Sequence, residues 1–167
     1  MSQWLQRKTT RLQGYDYNTP GAYFLTICTE NRKCVLSRIV GTGLLDGPKT
    51  ELFYYGAVAE KVICQLNQFY DKLSVESYVI MPNHIHILLI VKEQGPSGTP
   101  VPTMQNSAVS RFVSTFKRFC NKEYGKNIWQ YRYYDHIIRD EKDFDAHLKY
   151  IYENPFGWEK DDLYVKE

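Results

Sequence analysis

Two histidines stand two positions apart in an otherwise apolar stretch of this sequence. His84 and His86 open the segment "HIHILLIV", in which every other residue is isoleucine, leucine or valine. In a β-strand, residues i and i+2 point to the same face, so the two imidazoles project together. Their ring nitrogens could bind one divalent metal ion, and imidazole on its own favours Zn²⁺. The alternative is a packed pair satisfied by backbone carbonyls, although two buried imidazoles without partners are costly.

A third metal ligand and a nucleophile could come from the last part of the chain. His147, Tyr150 and Asn154 follow one another at steps of three and four residues, which puts them on one face of a helix. Tyr152 is the other phenol in "YIYENP", and it points about 200° away from Tyr150 around a helix. From the residues alone, Tyr150 is either a nucleophile or a packing residue.

The elements that carry these residues follow from hydrophobic spacing and turn signals. Stretches rich in aromatic and β-branched residues predict four strands: 22–30, 78–81, 84–91 and 132–140. Helical spacing of apolar residues and helix-end signals predict three helices: 51–70, 106–125 and 140–154. The last helix starts in acidic residues and stops before Pro155. The glycine- and proline-rich stretches 41–50 and 92–103 are predicted to be loops.

The order of these elements predicts the fold. β-α-β-β-α-β followed by a helix is the ferredoxin-like split βαβ pattern. The predicted fold class is therefore α+β, with an antiparallel ferredoxin-like sheet, helices on one face and a C-terminal helix that carries Tyr150. The 167 residues contain no repeats or interdomain linkers, so we expect one domain over 1–167 with its core in the range 22–158.

Composition excludes several classes of protein. The sequence is 43% hydrophobic, which indicates a folded globule, and its net charge of +2 neither demands nor excludes a nucleic-acid partner. Four cysteines without a Cys-x-x-Cys pair indicate scattered thiols of a reducing compartment. The N-terminus lacks an apolar segment of signal-peptide length, and the longest apolar run, "ILLIV", is too short to span a bilayer. We therefore expect a cytoplasmic protein without a membrane partner.

Four ordered blocks give the sequence a specific resemblance. They are "YVIMPNHIHILL", "FVSTFKRF", "IWQYRYYDHIIRDEKDF" and "YIYENP", and the resemblance extends over nearly the whole chain, from Ala22 to Trp158. The arrangement resembles the REP-associated tyrosine transposases, which belong to the single-tyrosine branch of the HUH (His-hydrophobic-His) nucleases. That family has a ferredoxin-like sheet, in agreement with the pattern of predicted elements.

The resemblance implies a mechanism. By this comparison His84 and His86 bind a divalent metal, Mg²⁺ or Mn²⁺, and Asn154 matches the position of a third, amide-type ligand. Tyr150 matches the nucleophile, which would attack the scissile phosphate, form a 5′-phosphotyrosine intermediate and leave a 3′-hydroxyl. The implied function is a metal-dependent transposase or endonuclease that nicks and rejoins single-stranded DNA. His136 and His147 match no role in the family.

The resemblance also implies a substrate, single-stranded DNA with hairpins, which in that family are repetitive extragenic palindromes. Candidate DNA-binding residues are a basic stripe on the second helix and two arginines near it in sequence: Arg111, Lys117, Arg118, Lys122, Arg132 and Arg139. An ordinary solvated helix face would carry the same residues. The N-terminal cluster Arg7, Lys8 and Arg11 could contact phosphates or only add solubility. Three tyrosines could stack unpaired bases or pack in the sheet: Tyr131, Tyr133 and Tyr134.

Other functions stay open at this point. The protein could bind DNA hairpins without cutting them, although such a binder needs no intact set of two histidines, a tyrosine and an asparagine. A metal-dependent hydrolase with a zinc-bound water would need a carboxylate base near the histidines, and the sequence shows no such signature. A rolling-circle initiator or relaxase would share the histidine pair. Oligomeric state is also open, because some members of the family exchange the tyrosine helix within a homodimer and others act as monomers.

Overall fold

A computed structural model describes residues 12, 14–41, 47–93 and 107–166. The strands are β1 (Gly21–Cys28), β2 (Ser37–Val40), β3 (Lys49–Leu52), β4 (Leu73–Ile80), β5 (His84–Val91) and β6 (Tyr134–Ile137). The helices are α1 (Tyr54–Phe69), α2 (Ala108–Tyr124) and α3 (Glu141–Glu153). A 3₁₀ segment, Asn154–Lys160, follows α3.

Four strands form one antiparallel sheet in the order β4-β5-β1-β6. Together with α1 and α2 this is the ferredoxin-like arrangement, so the predicted α+β fold class is confirmed. β1 and β5 pair along their full length, from Gly21 opposite Val91 to Cys28 opposite His84. The histidine-bearing strand therefore lies inside the sheet, which explains its unbroken apolar run.

The main core lies between the sheet and the helices α1 and α2. Ile85, Ile87 and Leu89 of β5 all point into it. The two helices contribute buried residues at helical spacing: Val62, Ile63, Leu66, Val109, Phe112, Val113 and Phe116. Burial of such apolar surface, at roughly 25 cal/mol per Å², is the main favourable contribution to folding. These three β5 residues face away from His84 and His86, as the alternation of side chains along a strand requires.

The opposite face of the sheet carries α3. A small apolar cluster of Phe24, Leu88 and Ile151 seats this helix. Because side chains alternate along a strand, His84 and His86 share this face with Leu88 and point towards α3. The sheet therefore separates the main core from the two histidines and from α3, which carries Tyr150.

Local signals define the ends of α2 and α3. The Ser107 hydroxyl caps α2 by accepting a hydrogen bond from a backbone N–H of the first turn at 3.2 Å, and Asp140 caps α3 in the same way at 2.8 Å. Gly125 ends α2 with a φ of 68°, a left-handed conformation that glycine adopts without strain. Pro155 ends the α-helical hydrogen bonding of α3 because it lacks an N–H. Tyr150 is thereby placed in the last turn of α3.

A second, two-stranded sheet of β2 and β3 was not predicted. The predicted loop over 41–50 is wrong at its end, because β3 begins at Lys49, while residues 42–46 lie outside the described part. Each of the two strands is only four residues long, which is too short for a clear two-residue period in the sequence.

Several strand ends also differ from the prediction. β4 begins at Leu73 rather than at residue 78, because it contains polar residues and an irregularity between Val75 and Ser77 that hide its pattern. β1 ends at Cys28 rather than at residue 30, and β6 covers 134–137 rather than 132–140.

Among the described residues, no helix has the length and apolar character needed to cross a membrane. None of the four cysteines, all of which lie in the described part of the chain, forms a disulfide, in agreement with their spacing. The N-terminal cluster Arg7, Lys8 and Arg11 and most of the predicted loop 92–103 lie outside the described residues.

Candidate active site

The two histidines of β5 lie side by side on the α3 face of the sheet. His84 is fully buried and His86 is 3% exposed. Their ring centroids are 4.5 Å apart, and the two Nε2 atoms approach to 3.0 Å. The two imidazoles therefore lie on one face of the strand, as the spacing predicts, and their Nε2 atoms point towards each other.

Each imidazole is oriented through its other ring nitrogen. Asn83 Oδ1 lies 2.8 Å from His84 Nδ1, and Thr26 Oγ1 lies 2.9 Å from His86 Nδ1. Asn83 Nδ2 donates to the backbone oxygen of Leu163 at 2.8 Å, which leaves Oδ1 to face His84. An amide oxygen only accepts hydrogen bonds, so His84 carries its proton on Nδ1 and presents a lone pair at Nε2. His86 does the same when it donates to the Thr26 hydroxyl.

Burial keeps both imidazoles neutral. Desolvation lowers the pKa of His84 to about 4, and the nearby Asp161 carboxylate and Asn154 side chain only partly offset it. Burial also lowers the pKa of His86, and the neighbouring rings of His84 and His147 lower it further. At 3.0 Å the two Nε2 atoms form a hydrogen bond when one of them carries a proton, and two unprotonated Nε2 atoms at this distance repel unless a cation lies between them.

Tyr150 lies beside this pair in the same chain. Its ring centroid is 5.2 Å from that of His86 and 5.9 Å from that of Phe24. Tyr150 is 43% exposed and lines an open cleft. Partial burial and the neighbouring Asp161 carboxylate raise the pKa of Tyr150 to about 12, which makes the free phenol a weak nucleophile at neutral pH. Tyr152 is 78% exposed, in agreement with its predicted position away from Tyr150 around the helix.

Asn154 and Asp161 complete the polar surroundings of the histidines. Asn154 is buried, and its Nδ2 donates to Asp161 Oδ2 at 3.1 Å, an oxygen that also accepts from the Tyr150 hydroxyl at 3.3 Å. Asn154 Oδ1 has no hydrogen-bond partner among the described residues. One ligand atom from each of His84, His86 and Asp161 lies within 4.8 Å of the other two.

These donors fit a divalent metal ion. Neighbouring ligands on a metal with bonds of about 2.0–2.1 Å lie about 3 Å apart, close to the observed Nε2 separation of 3.0 Å. The buried amide oxygen of Asn154 is a further donor, and leaving it without a partner would be costly. The set combines imidazole nitrogens with amide and carboxylate oxygens, which suit Mg²⁺ or Mn²⁺ better than imidazole alone does.

Three residues of this site were not identified from the sequence: Asp161, Asn83 and Thr26. Asn83 stands next to the histidines in "MPNHIH", and that position was its only signal. Thr26 reaches His86 through the pairing of β1 with β5, which no local pattern reveals. Asp161 follows the 3₁₀ segment, beyond the last predicted element. The sequence shows no signature of a carboxylate near the histidines, and folding brings Asp161 to them.

An open cleft of about 690 Å³ adjoins Tyr150. Its walls include Tyr152 and Phe156, two largely exposed aromatic side chains, and the charged side chains of Lys160 and Asp162. The cleft leaves room beside the tyrosine hydroxyl for a ligand the size of a nucleotide.

Five of the six candidate DNA-binding residues are exposed. Three of them project from α2, on the opposite side of the sheet from the histidines: Arg111, Arg118 and Lys122. Arg132 and Arg139 are exposed on either side of β6. The structure does not bring these five side chains together with the histidine pair, so their role in DNA binding stays a prediction.

Lys117 differs from the other basic residues. Its Nζ donates to the backbone oxygens of Gln130 at 2.7 Å and Tyr131 at 3.2 Å. Burial lowers the pKa of Lys117 to about 8. Lys117 therefore holds the segment before β6, in which Tyr131 is 98% exposed. Of the two tyrosines that follow, Tyr133 packs against the main core and Tyr134 is largely exposed.

A second histidine cluster joins β6 to α3. His136 Nε2 lies 3.0 Å from Asp143 Oδ2, and His147 Nδ1 lies 2.9 Å from the backbone oxygen of Asp143. The two rings stack with 4.6 Å between centroids. Burial raises the pKa of the Asp143 carboxyl, but hydrogen bonds from His136 and from the backbone N–H of Arg139 outweigh it and hold the pKa below its ordinary value. His136 and His147, which match no family role, thus share one carboxylate.

Residues 21–154 match the model of a family described as "Transposase IS200 like". The matched segment extends from the first residue of β1 to the residue after α3. It therefore contains both histidines of β5, Tyr150 and Asn154, whereas Asp161 lies beyond its end.

Individual relatives agree with this match. A protein of Haemophilus influenzae described only as an uncharacterized protein is 30% identical over 95% of this chain and 93% of its own length. The REP-associated tyrosine transposase of Escherichia coli strain K12 is 33% identical over 52% of this chain, which spans about half (47%) of that relative. A solved structure of a REP-associated tyrosine transposase bound to a REP hairpin has the same fold, with a TM-score of 0.61 and 24% identity, over 87% of this chain and 72% of that one. The resemblance carried by the four sequence blocks is confirmed.

Proposed function

Because this chain belongs to the IS200-like transposase family, we propose that it cuts and rejoins single-stranded DNA through a covalent bond to Tyr150. The observation that carries this proposal is the placement of Tyr150 beside His86 within one chain, at 5.2 Å between ring centroids. A phenol hydroxyl, two imidazole nitrogens and two oxygen donors then surround one accessible site. Such a site combines a nucleophile with a place for a phosphate-polarising metal.

We assign the metal to His84 Nε2, His86 Nε2 and Asn154 Oδ1, with Mg²⁺ or Mn²⁺ as the ion. Such an ion would polarise the scissile phosphate and align it for in-line attack. Asn83 and Thr26 engage the two Nδ1 atoms and so direct the Nε2 lone pairs into the site. The lowered pKa values of both histidines keep these nitrogens unprotonated at neutral pH.

In the proposed reaction, the Tyr150 hydroxyl oxygen attacks the phosphorus. The bond from this oxygen to phosphorus forms, the bond from phosphorus to the 3′ oxygen breaks, and the departing 3′ oxygen takes up a proton. The phenol proton passes to water in the open cleft that Tyr150 lines. The products are a 5′-phosphotyrosine and a free 3′-hydroxyl, so attack by a 3′-hydroxyl can rejoin strands without an external energy source.

Hairpin-bearing single-stranded DNA is the proposed substrate. The solved relative of the same fold is bound to a REP hairpin. Exposed cations on α2 and beside β6 could contact phosphates, and the exposed ring of Tyr131 could stack on an unpaired base. Because α3 packs on its own sheet, one chain already contains the tyrosine and the histidine pair, and a homodimer stays a prediction.

The test is formation of a covalent adduct. Wild-type protein, Tyr150→Phe and the matched control Tyr152→Phe are incubated with single-stranded hairpin DNA and Mg²⁺ or Mn²⁺ and run on a denaturing gel. We expect an adduct with the wild type and with Tyr152→Phe, and none with Tyr150→Phe. An adduct that survives Tyr150→Phe and disappears with Tyr152→Phe would move the nucleophile to Tyr152.

Two other functions give different results in this assay. A hairpin-binding protein that no longer cuts would bind the DNA tightly and form neither adduct nor cleaved product. One observation supports a metal-dependent hydrolase: Asp161 places near the histidines the carboxylate that such an enzyme requires. The hydrolase would release cleaved DNA without an adduct, and Tyr150→Phe would still cut.

A further inference from the structure

We propose that Asp161 is a ligand of the same metal ion and enables this histidine site to hold a hard cation such as Mg²⁺ or Mn²⁺. This inference rests on the metal site of the proposed function and adds a residue outside the matched family segment 21–154. A carboxylate oxygen is a hard, charged donor, whereas imidazole is a softer donor that equally suits Zn²⁺.

The geometry places the Asp161 carboxylate at the histidine pair. One of its oxygens lies within 4.8 Å of a ring nitrogen of each histidine, a separation that a shared ion can close with small side-chain movements. Oδ2 now accepts hydrogen bonds from Asn154 Nδ2 and the Tyr150 hydroxyl, so it already lies among the groups of the site. Asn154, 4% exposed, adds its unpartnered Oδ1 to the same surroundings.

The backbone holds Asp161 in this position. Its Oδ1 accepts a hydrogen bond from the N–H of Leu163 at 2.7 Å, a local turn that fixes the carboxylate and leaves Oδ2 facing the site. The carbonyl of Leu163 in turn accepts from Asn83 Nδ2 at 2.8 Å, while Asn83 Oδ1 orients His84. One asparagine therefore ties the turn that carries Asp161 to the first histidine, which pre-organises the carboxylate relative to the imidazole ligands.

The charge around Tyr150 also calls for a cation. The cleft beside the tyrosine is lined by three carboxylates, Glu153, Asp161 and Asp162, and by one ammonium group, that of Lys160. A phosphate would be repelled by this surface. A divalent ion bound to Asp161 and the histidines would neutralise the net negative charge of these four side chains where the scissile phosphate must approach.

Metal binding by the full-length protein, without DNA, tests the assignment. Titration calorimetry with Mn²⁺ and with Zn²⁺ compares the wild type, Asp161→Asn and the matched control Asp162→Asn, which removes the same charge from the neighbouring residue. We expect Asp161→Asn to weaken Mn²⁺ binding at least about 10-fold and Zn²⁺ binding less, because imidazole ligands dominate for Zn²⁺. Asp162→Asn should bind both ions like the wild type, and so should Tyr150→Phe, since a role limited to holding the phenol would not change metal affinity.

The outcomes separate this inference from the proposed function. If Asp161→Asn binds Mn²⁺ as tightly as Asp162→Asn does, or if the wild type binds no Mn²⁺, Asp161 is not a ligand. If Asp161→Asn binds Mn²⁺ as tightly as Asp162→Asn does and the wild type still forms a DNA adduct, only the assignment of Asp161 as a ligand fails. Loss of Mn²⁺ affinity in Asp161→Asn together with no wild-type adduct would keep the ligand and reject the transposase reaction. Asp161→Glu, which keeps the charge, should retain Mn²⁺ binding and guards against a folding defect of the asparagine variant.

Discussion

The molecule contains two clusters of two histidines and one aspartate, and their arrangements differ. In the first, His84 and His86 are buried, their Nε2 atoms face each other at 3.0 Å, and Asp161 is hydrogen-bonded to other groups. In the second, the carboxylate of Asp143 lies between the partly exposed His136 and His147, at 3.0 Å from one ring nitrogen and 3.1 Å from the other.

The comparison shows that residue composition does not decide what a cluster does. Asp143 satisfies the imidazoles of its cluster directly and also accepts from the N–H of Arg139, so this cluster fastens α3 to β6 without an added ion. In the β5 cluster the neutral partners Asn83 and Thr26 contact the Nδ1 atoms, and the two Nε2 atoms converge. Convergent imidazole nitrogens suit a cation, whereas a shared carboxylate makes an added ion unnecessary.

The two clusters are joined through one aromatic ring. Phe24 stacks on His86 with 4.9 Å between ring centroids, and its ring centroid lies 4.7 Å from that of His147. The second cluster therefore holds α3 in the position in which Tyr150 lies beside the histidine pair of β5. We infer that the second cluster positions the helix and the first one carries the chemistry.

The largest expected difference between the clusters concerns metal binding and DNA cleavage. His84→Ala removes a ligand, and we expect it to abolish detectable Mn²⁺ binding and reduce adduct formation at least about 1,000-fold. His147→Ala, the matched change in the second cluster, should leave Mn²⁺ affinity within about two-fold of the wild type. Calorimetry and the gel assay measure both quantities. Equal losses of Mn²⁺ affinity in the two variants would show that the distinction between the clusters is wrong.

A smaller effect is expected from the group that orients the second imidazole. Thr26→Val keeps the shape of the side chain but removes the hydroxyl at 2.9 Å from His86 Nδ1, so the ring loses its preferred proton position. We expect Mn²⁺ affinity to fall about 10-fold, as for other partners of metal-bound histidines. The control is Thr50→Val on β3, outside the main sheet, which should not change Mn²⁺ affinity. Unchanged affinity in Thr26→Val would remove the threonine from the site.

The pH dependence of stability should distinguish the buried histidines. The folded-state pKa values of His84, about 4, and of His86 lie below the ordinary value of about 6.5, so the unfolded chain binds more protons between these limits. Stability of the metal-free protein should therefore fall as the pH drops from about 6.5 towards 4, by at most about 1.4 kcal/mol per pH unit for each histidine. Chemical unfolding at several pH values measures this slope.

The matched variant for this experiment is His84→Gln, which removes one of the two titrating groups. Its slope between pH 6.5 and 4 should be smaller than that of the wild type. Saturating Mn²⁺ should stabilise the wild type at pH 7 and lose that effect as acid protonates the ligands. An identical slope in wild type and His84→Gln would mean that the buried imidazole does not control acid stability.

The smallest expected effect concerns the second cluster. Asp143→Asn removes the charge between His136 and His147, and we expect a loss of about 1 kcal/mol in the free energy of unfolding at neutral pH, since the group is partly exposed to solvent. The pKa of Asp143 is lowered in the folded state, so its contribution is present above about pH 4 and disappears as the pH falls through the folded-state value. The difference in unfolding free energy between wild type and Asp143→Asn should therefore vanish in acid, while Mn²⁺ affinity at pH 7 stays unchanged. A drop in Mn²⁺ affinity would show that the clusters act as one.

Much of the fold could be predicted from local sequence. β5 was predicted with its observed ends because a run of eight residues, rich in isoleucine and valine and preceded by the Pro82-Asn83 turn signal, favours a buried strand. α3 could be placed within one residue at each end, since Asp140 caps it and Pro155 follows it. The β2–β3 pair was missed, because four-residue strands carry too little periodicity and owe their pairing to contacts across the chain.

The sequence alone determined which side chains of the candidate site come from β5 and from the end of α3, and which of them share a face. A strand must direct His84 and His86 to one face, and a helix must align Tyr150 with Asn154, because both periodicities are properties of the backbone. Only the tertiary structure decided which of the other side chains meet them. Thr26 reaches His86 through strand register, and Asp161 reaches the site through a turn that Asn83 ties down. Such contacts join residues far apart in sequence, and the packing of the whole chain, rather than any local pattern, sets their distances.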